Sequence, residues 1–142
     1  MTDYTYRTIV VALDVFSEYE QVLNKALALD PDKSKYHLIH VTIPQTFFEP
    51  YAIEAGNDFT LEIQEKAEAK LKDIAQEHEF GPSQIHSRIG NAADEIHELA
   101  ASLHADLIIL GTHGRSGLKL LLGSTATAVL HGAKCDVLSI KI

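Results

Sequence analysis

The stretch from Gly111 to Thr125, GTHGRSGLKLLLGST, holds the residue types best suited to chemistry in this chain. Gly111, Gly114, Gly117 and Gly123 crowd into one short segment. A phosphate group requires several backbone N–H groups to converge on it with no Cβ atoms in the way, and glycine permits both the approach and the dihedrals. Gly111-x-x-Gly114 can form a first turn around phosphate oxygens. Gly123-Ser124-Thr125 then adds N–H groups and hydroxyls where a helix starts, and a helix N-terminus carries partial positive charge. Arg115 can add a full charge, and Lys119 does so more loosely. The same glycines also suit a structural role, permitting turns while Ser124 caps a helix, and spacing alone does not separate the two. The segment is not a Walker loop, because no Gly-Lys-Ser/Thr follows, and it is not the G-x-G-x-x-G fingerprint. Efficient ATP hydrolysis therefore lacks its usual parts.

Other constellations are weaker. The chain has eight histidines, and His131, Cys135 and His113 lie close in sequence, but Gly132 should end a helix between the first two and no second close pair exists. No metal site is expected. His97-Glu98 falls short of a zincin motif, since Ala101 stands where its second histidine belongs. His37 and His40 alternate with apolar residues and read as edge or packing residues. Cys135 has no evident activating partner and reads as a packed thiol. Ser17, Ser116 and Ser124 lack the context for acyl transfer. No catalytic residue is assigned. Tyr4, Tyr6, Phe47, Phe48 and Tyr51 read mainly as core and loop anchors.

The elements that must position the glycine segment follow from hydropathy patterning. Thr8–Leu13 is a continuous apolar run ending at Asp14, as expected for a strand buried on both faces. Val22, Leu23, Ala26 and Leu27 recur at helical spacing. Residues 36–43 read as a second strand, stopped by Pro44. A long amphipathic helix is expected from Asp58 to His78, with Phe59, Ile63, Ala67, Leu71 and Ile74 on one face. Residues 84–89 form a weaker strand, and Ile96, Leu99, Ala100 and Leu103 mark another helix. Asp106–Leu110 is a buried strand that delivers the chain to Gly111. A short helix capped by Ser124 and closed at Gly132 follows, and Cys135–Ile142 is the final strand. Alternating strands and helices with connections too long for hairpins point to a parallel sheet with helices on both faces. In such sheets ligands sit beyond the carboxyl ends of the strands, where the order reverses. Asp14 and Gly111 become neighbours if strands one and four flank that point.

The bulk properties bound the answer. A chain of 142 residues fits a single domain spanning residues 1–142, and 46% hydrophobic with 23% charged residues is ordinary for a globular protein. No apolar run is long enough for a membrane span, and a lone cysteine with no signal-like leader fits a cytoplasmic protein. A net charge of −8 argues against nucleic acid and anionic membranes. Residues 111–142, however, carry Arg115, Lys119, Lys134 and Lys141 against Asp136 alone, so a small anion is welcome there. The apolar final strand would be a hazardous free edge in a monomer, and pairing it across a two-fold axis would give a homodimer through Cys135–Ile142.

Several segments together resemble the universal stress protein family: VVALD ending at Asp14, LIHV ending at Val41, DLIILGTHGRSGL, LLLGSTATAVL and CDVLSIKI. The resemblance spans the whole chain. It implies a doubly wound, Rossmann-like fold of the adenine-nucleotide α-hydrolase type, strand order 3-2-1-4-5, in a dimer. It also implies a stress-response role with ATP or another adenine nucleotide as regulatory ligand, and Mg2+ only alongside ATP. By position, Asp14 and Val41 would lie by the adenosine, and Gly111, Gly114, Gly123, Ser124 and Thr125 would hold phosphates, with Arg115 beside them. The chain departs from the family's nucleotide-holding pattern, G-x2-G-x9-G-Ser/Thr, because Arg115–Leu122 is one residue shorter than the spacer. Phe16 also stands after Asp14 where that branch often has small residues. The other reading is a nucleotide-free stress-response module acting through protein partners.

Overall fold

A computed structural model describes residues 5–47, 58–112 and 124–142. Five strands form one parallel sheet: β1 Ile9–Ala12, β2 Tyr36–Thr42, β3 Ile85–Ile89, β4 Leu107–Gly111 and β5 Asp136–Ile140. The helices are α1 Tyr19–Leu27, α2 Thr60–His78, α3 Ala92–Ser102 and α4 Ser124–Gly132. The strand order is β3-β2-β1-β4-β5, as the resemblance implied. Central β1 sets the register on both sides, with Ile9 opposite Tyr36 on β2 and opposite Leu107 on β4.

The unbroken apolar run of β1 is explained by two cores. Ile9, Val11 and Leu13 pack with Val22, Leu23, Leu71 and Ile74 under α1 and α2. Val10 points the other way and joins Ile96, Leu99, Ile108 and Val129 under α3 and α4. Successive strand residues face opposite sides, so a strand covered on both faces loses the alternation of an exposed one.

Local chemistry sets the helix ends. The Asn91 side chain accepts from the Asp94 amide at 3.0 Å and caps α3. Glu79 ends α2 in the left-handed conformation at φ 64°, while the Phe80 amide donates back to Ala75. The helix ends at His78, where the sequence pattern places its end. Ser124 is the first helical residue of α4 rather than the residue before the helix. Phe59, expected on the buried face of α2, precedes the helix and is 48% exposed.

Candidate functional site at the carboxyl ends of the strands

The Ile39 carbonyl accepts from the Leu13 amide at 2.9 Å, beyond the last β1–β2 pair, Ala12 with Ile39. Past this bond β1 turns away toward α1. Ladder bonds alternate from side to side, so Val41, two residues after Ile39, directs its N–H and C=O toward the side β1 has left. On the other flank, β4 runs to Gly111 and hands the chain to Thr112, whose amide donates to Ile140 at 2.9 Å. The strand order reverses here, with β1 followed on one side by β2 and on the other by β4.

A cavity of about 490 Å³ opens at this place. Asp14, Val41, Gly111, Ser124 and Thr125 all line it, although they come from four separate elements or their ends. Leu13, Ile39, Ile63, Ile96 and Leu110 make much of its wall apolar. The volume lies within the usual range for small-molecule sites, as does an apolar wall with a few convergent polar groups. Gly114, Arg115 and Gly123, the remaining candidates, lie outside the described residues.

The loop carrying Asp14 is held on several sides. One Asp14 carboxylate oxygen accepts from the Phe16 amide at 3.0 Å, and its carbonyl accepts from the Ser17 amide at 3.1 Å. Lys70 reaches across from α2 and donates to the Val15 carbonyl at 3.1 Å, with its ammonium 5.7 Å from the Tyr19 ring centre. Phe16 lines the cavity but also packs against the core and meets the His40 ring edge-on. It forms a wall, and the cavity remains beside it.

Gly111 has a structural reason to be glycine. A Cβ there would collide with the Ile142 side chain and come within 3.2 Å of Val22. This packing sits directly at the cavity, which both Ile142 and Val22 also line. The Ile142 amide lies 3.2 Å from the Thr112 hydroxyl, to which it donates.

Two side chains lacked a visible role in the sequence. His40, read as a packing residue, is buried beneath the Asp14 loop, its Nδ1 close to the Val15 amide and the Leu13 carbonyl. Thr42 lines the cavity with a hydroxyl that has no hydrogen-bond partner among the described residues. Only their position within LIHVT, around Val41, could have drawn attention to them.

His97, His37, His86 and Cys135 take part in packing and hydrogen bonding away from the cavity. His97 Nε2 lies 2.8 Å from the Val129 carbonyl and ties α3 to α4, while Glu98 pairs with Arg88. His37 Nδ1 and His86 Nε2 share a hydrogen bond of 3.1 Å across β2 and β3, and burial pushes both rings below the usual histidine range. Burial, reinforced by Asp136 and Asp106, pushes the Cys135 thiol up. Among the described residues no three His, Cys, Asp or Glu side chains converge as metal ligands. No helix among them is long and apolar enough to cross a membrane.

Residues 5–141 match the model of the universal stress protein family. The chain belongs to that family. A relative from Coxiella burnetii, universal stress protein A homolog 2, is 37% identical and covers 100% of this chain and 98% of its own length. Universal stress protein G of Escherichia coli O157:H7 is 31% identical, over 96% of this chain and 99% of its own. Among solved structures, MJ0577 shares the fold with a TM-score of 0.80 at 29% identity, covering 96% of both chains. A family member solved in complex with cAMP has a TM-score of 0.53 at 27% identity, covering 96% of this chain and 97% of its own. The five-stranded order and the family assignment thus agree with the expectations drawn from VVALD, LIHV and the glycine segment.

Proposed function

We propose that this family member is a cytoplasmic stress-response protein that binds an adenine nucleotide as a regulatory ligand in the cavity beyond β1, β2 and β4. The observation that carries this reading is the convergence of Asp14, Val41, Gly111, Ser124 and Thr125 on one cavity of about 490 Å³ at the point where the strand order reverses. The family member solved with cAMP supports the choice of an adenine nucleotide.

The residues present fit such a ligand. The apolar wall of Ile39, Ile96 and Leu110 suits a flat base, and the Val41 peptide offers one donor and one acceptor to its edge. The Asp14 carboxylate, braced by the Phe16 amide, suits ribose hydroxyls as an acceptor. Ser124 and Thr125 open α4, where N–H groups and the helix dipole favour phosphate. Gly114, Arg115 and Gly123 complete the phosphate cradle, with Mg2+ only when the ligand is ATP. The role is binding rather than turnover, and any hydrolysis of ATP is slow. The outer edge of β5, which pairs with no other strand among the described residues, supports a homodimer formed through this strand.

A nucleotide-free interaction module is the competing reading, and the Ile142 contact favours it by giving Gly111 a structural purpose. Thermal unfolding with millimolar ATP, ADP, AMP or cAMP separates the two, because a ligand bound to the native state alone raises the melting temperature. The expected result is a clear rise that is lost in Gly114→Val while the unliganded melting temperature holds. An unchanged melting temperature with every nucleotide favours the interaction module.

A further inference from the structure

His40 stands opposite Ser87 across β2 and β3, and Thr42 follows two residues later. All three therefore face α1 and α2, beneath the loop that carries Asp14. His40 is 5% exposed, and the Thr42 and Ser87 hydroxyls are buried without partners among the described residues. The Nδ1 atom of His40 lies 3.2 Å from the Val15 amide nitrogen and 3.1 Å from the Leu13 carbonyl oxygen. The Phe16 ring closes over it edge-on, with 5.5 Å between ring centres.

One ring nitrogen cannot accept from the Val15 N–H and donate to the Leu13 carbonyl at the same time. A bare Nδ1 accepts from Val15. A protonated Nδ1 donates to Leu13 and turns an N–H toward the N–H of Val15, which must then move. Asp14 is the residue between these two contacts, and its carboxylate is braced by the next amide along, that of Phe16. Both contacts have hydrogen-bonding geometry at Nδ1, so the loop is placed to meet either the bare or the protonated nitrogen.

We propose that His40 is a positioning residue for Asp14: its Nδ1 holds the Val15 amide when the ring is neutral and releases it when the ring takes up a proton, so that ligand affinity at the cavity falls with acidification. This rests on the adenine-nucleotide reading for its ligand, though the proton-controlled contact stands apart from it. Charged groups of both signs lie on the elements around the ring. Asp14 and Glu18 line the same cavity from the loop, and Lys70 is bonded to the Val15 carbonyl from α2. Tyr19 faces the same cavity from α1, and β3 places the uncharged Ser87 opposite His40. Two hydroxyl rotors beside the ring can turn from donor to acceptor as its charge changes.

Nuclear magnetic resonance on the ligand-free, ¹⁵N-labelled protein tests this directly, following the His40 ring and the Val15 and Phe16 amides as the pH is lowered through the histidine range. The ring and both amides should move together with one midpoint. In His40→Asn, whose side-chain oxygen replaces the Nδ1 acceptor without titrating, the amides should hold their high-pH positions. A ring that does not titrate, a Val15 amide that stays still while it does, or His40→Asn amides that keep the wild-type midpoint would each overturn the proposal. The wild-type titration needs no variant, so misfolding of His40→Asn leaves it decisive.

Adenosine, which has no phosphate to titrate, then reads the coupling to the site. Its affinity should drop about tenfold across the transition, the worth of one lost hydrogen bond. Binding that is constant with pH contradicts the coupling. Adenosine and nucleotides that fail to bind at any pH overturn the nucleotide reading instead, and the amide titration still decides the role of His40.

Discussion

The Ile142 side chain occupies the space that a Cβ on Gly111 would need. One glycine thus joins the end of β4 to the last residue of the chain at the wall of the cavity. The glycine segment was attractive in sequence because glycine suits phosphate, yet this glycine answers first to packing. Both roles are compatible, since the Gly111 backbone still faces the cavity.

Gly111→Ala should therefore destabilise the fold by about 1–3 kcal/mol, the usual cost of overpacking a filled site. Ile142→Ala should recover much of that loss when combined with it, because the colliding atoms are then gone. Urea unfolding of the two single variants and the double variant measures the coupling. Additive effects would contradict the contact.

The His37–His86 pair predicts how stability depends on pH. Burial holds both rings below the usual histidine range in the folded state, and His37 and Arg88 add to the shift at His86. The unfolded chain therefore takes up protons that the folded chain refuses. The pair's stabilising effect is complete above the unfolded value of about 6.5 and is lost as the pH falls below it toward the folded values. Urea midpoints should decline over that acidic range, and His86→Gln should reduce the slope. A wild-type slope that His86→Gln leaves intact would assign the effect elsewhere.

How much of this was legible in sequence depends on the kind of signal. The strands and helices were readable because residues such as Val10 and Val11 feed two different cores, which makes β1 apolar throughout. The meeting of Asp14 and Gly111 followed from the strand order, since each lies at a strand's carboxyl end, and Val41 joined them through the family resemblance. His40 was not legible. A histidine among apolar residues on a strand looks like packing, and only the fold reveals that it supports the Asp14 loop. The end of α2 at His78 was readable from its periodicity, whereas the cap was not, because Glu79 takes a left-handed conformation more often left to glycine.

Lys70→Met tests whether the loop's outer brace matters to binding. The change removes the bond to the Val15 carbonyl and the cation over Tyr19 while keeping an apolar stem along α2. Nucleotide affinity should fall severalfold, with little change in the urea midpoint. Calorimetric titration gives the affinity, and an unaltered value would show that His40 and Asp14 hold the loop without help.

The exposed edge of β5 predicts assembly. Leu138 is 37% exposed on this strand, and Leu130 on neighbouring α4 is 56% exposed. Leu138→Lys places a charge on the pairing edge, a common device against strand association. Sedimentation should show a dimer for the wild type and a monomer for the variant. A wild-type monomer, or a variant dimer of equal strength, would locate association on another face.

The most direct test of the central claim is native mass spectrometry of the protein incubated with an equimolar mixture of ATP, ADP, AMP and cAMP. The account predicts one adenine nucleotide on each subunit, with the added mass naming the preferred form, and loss of that mass in Gly114→Val. A protein that stays bare in the mixture at millimolar concentration would contradict nucleotide binding and leave the cavity without its proposed ligand.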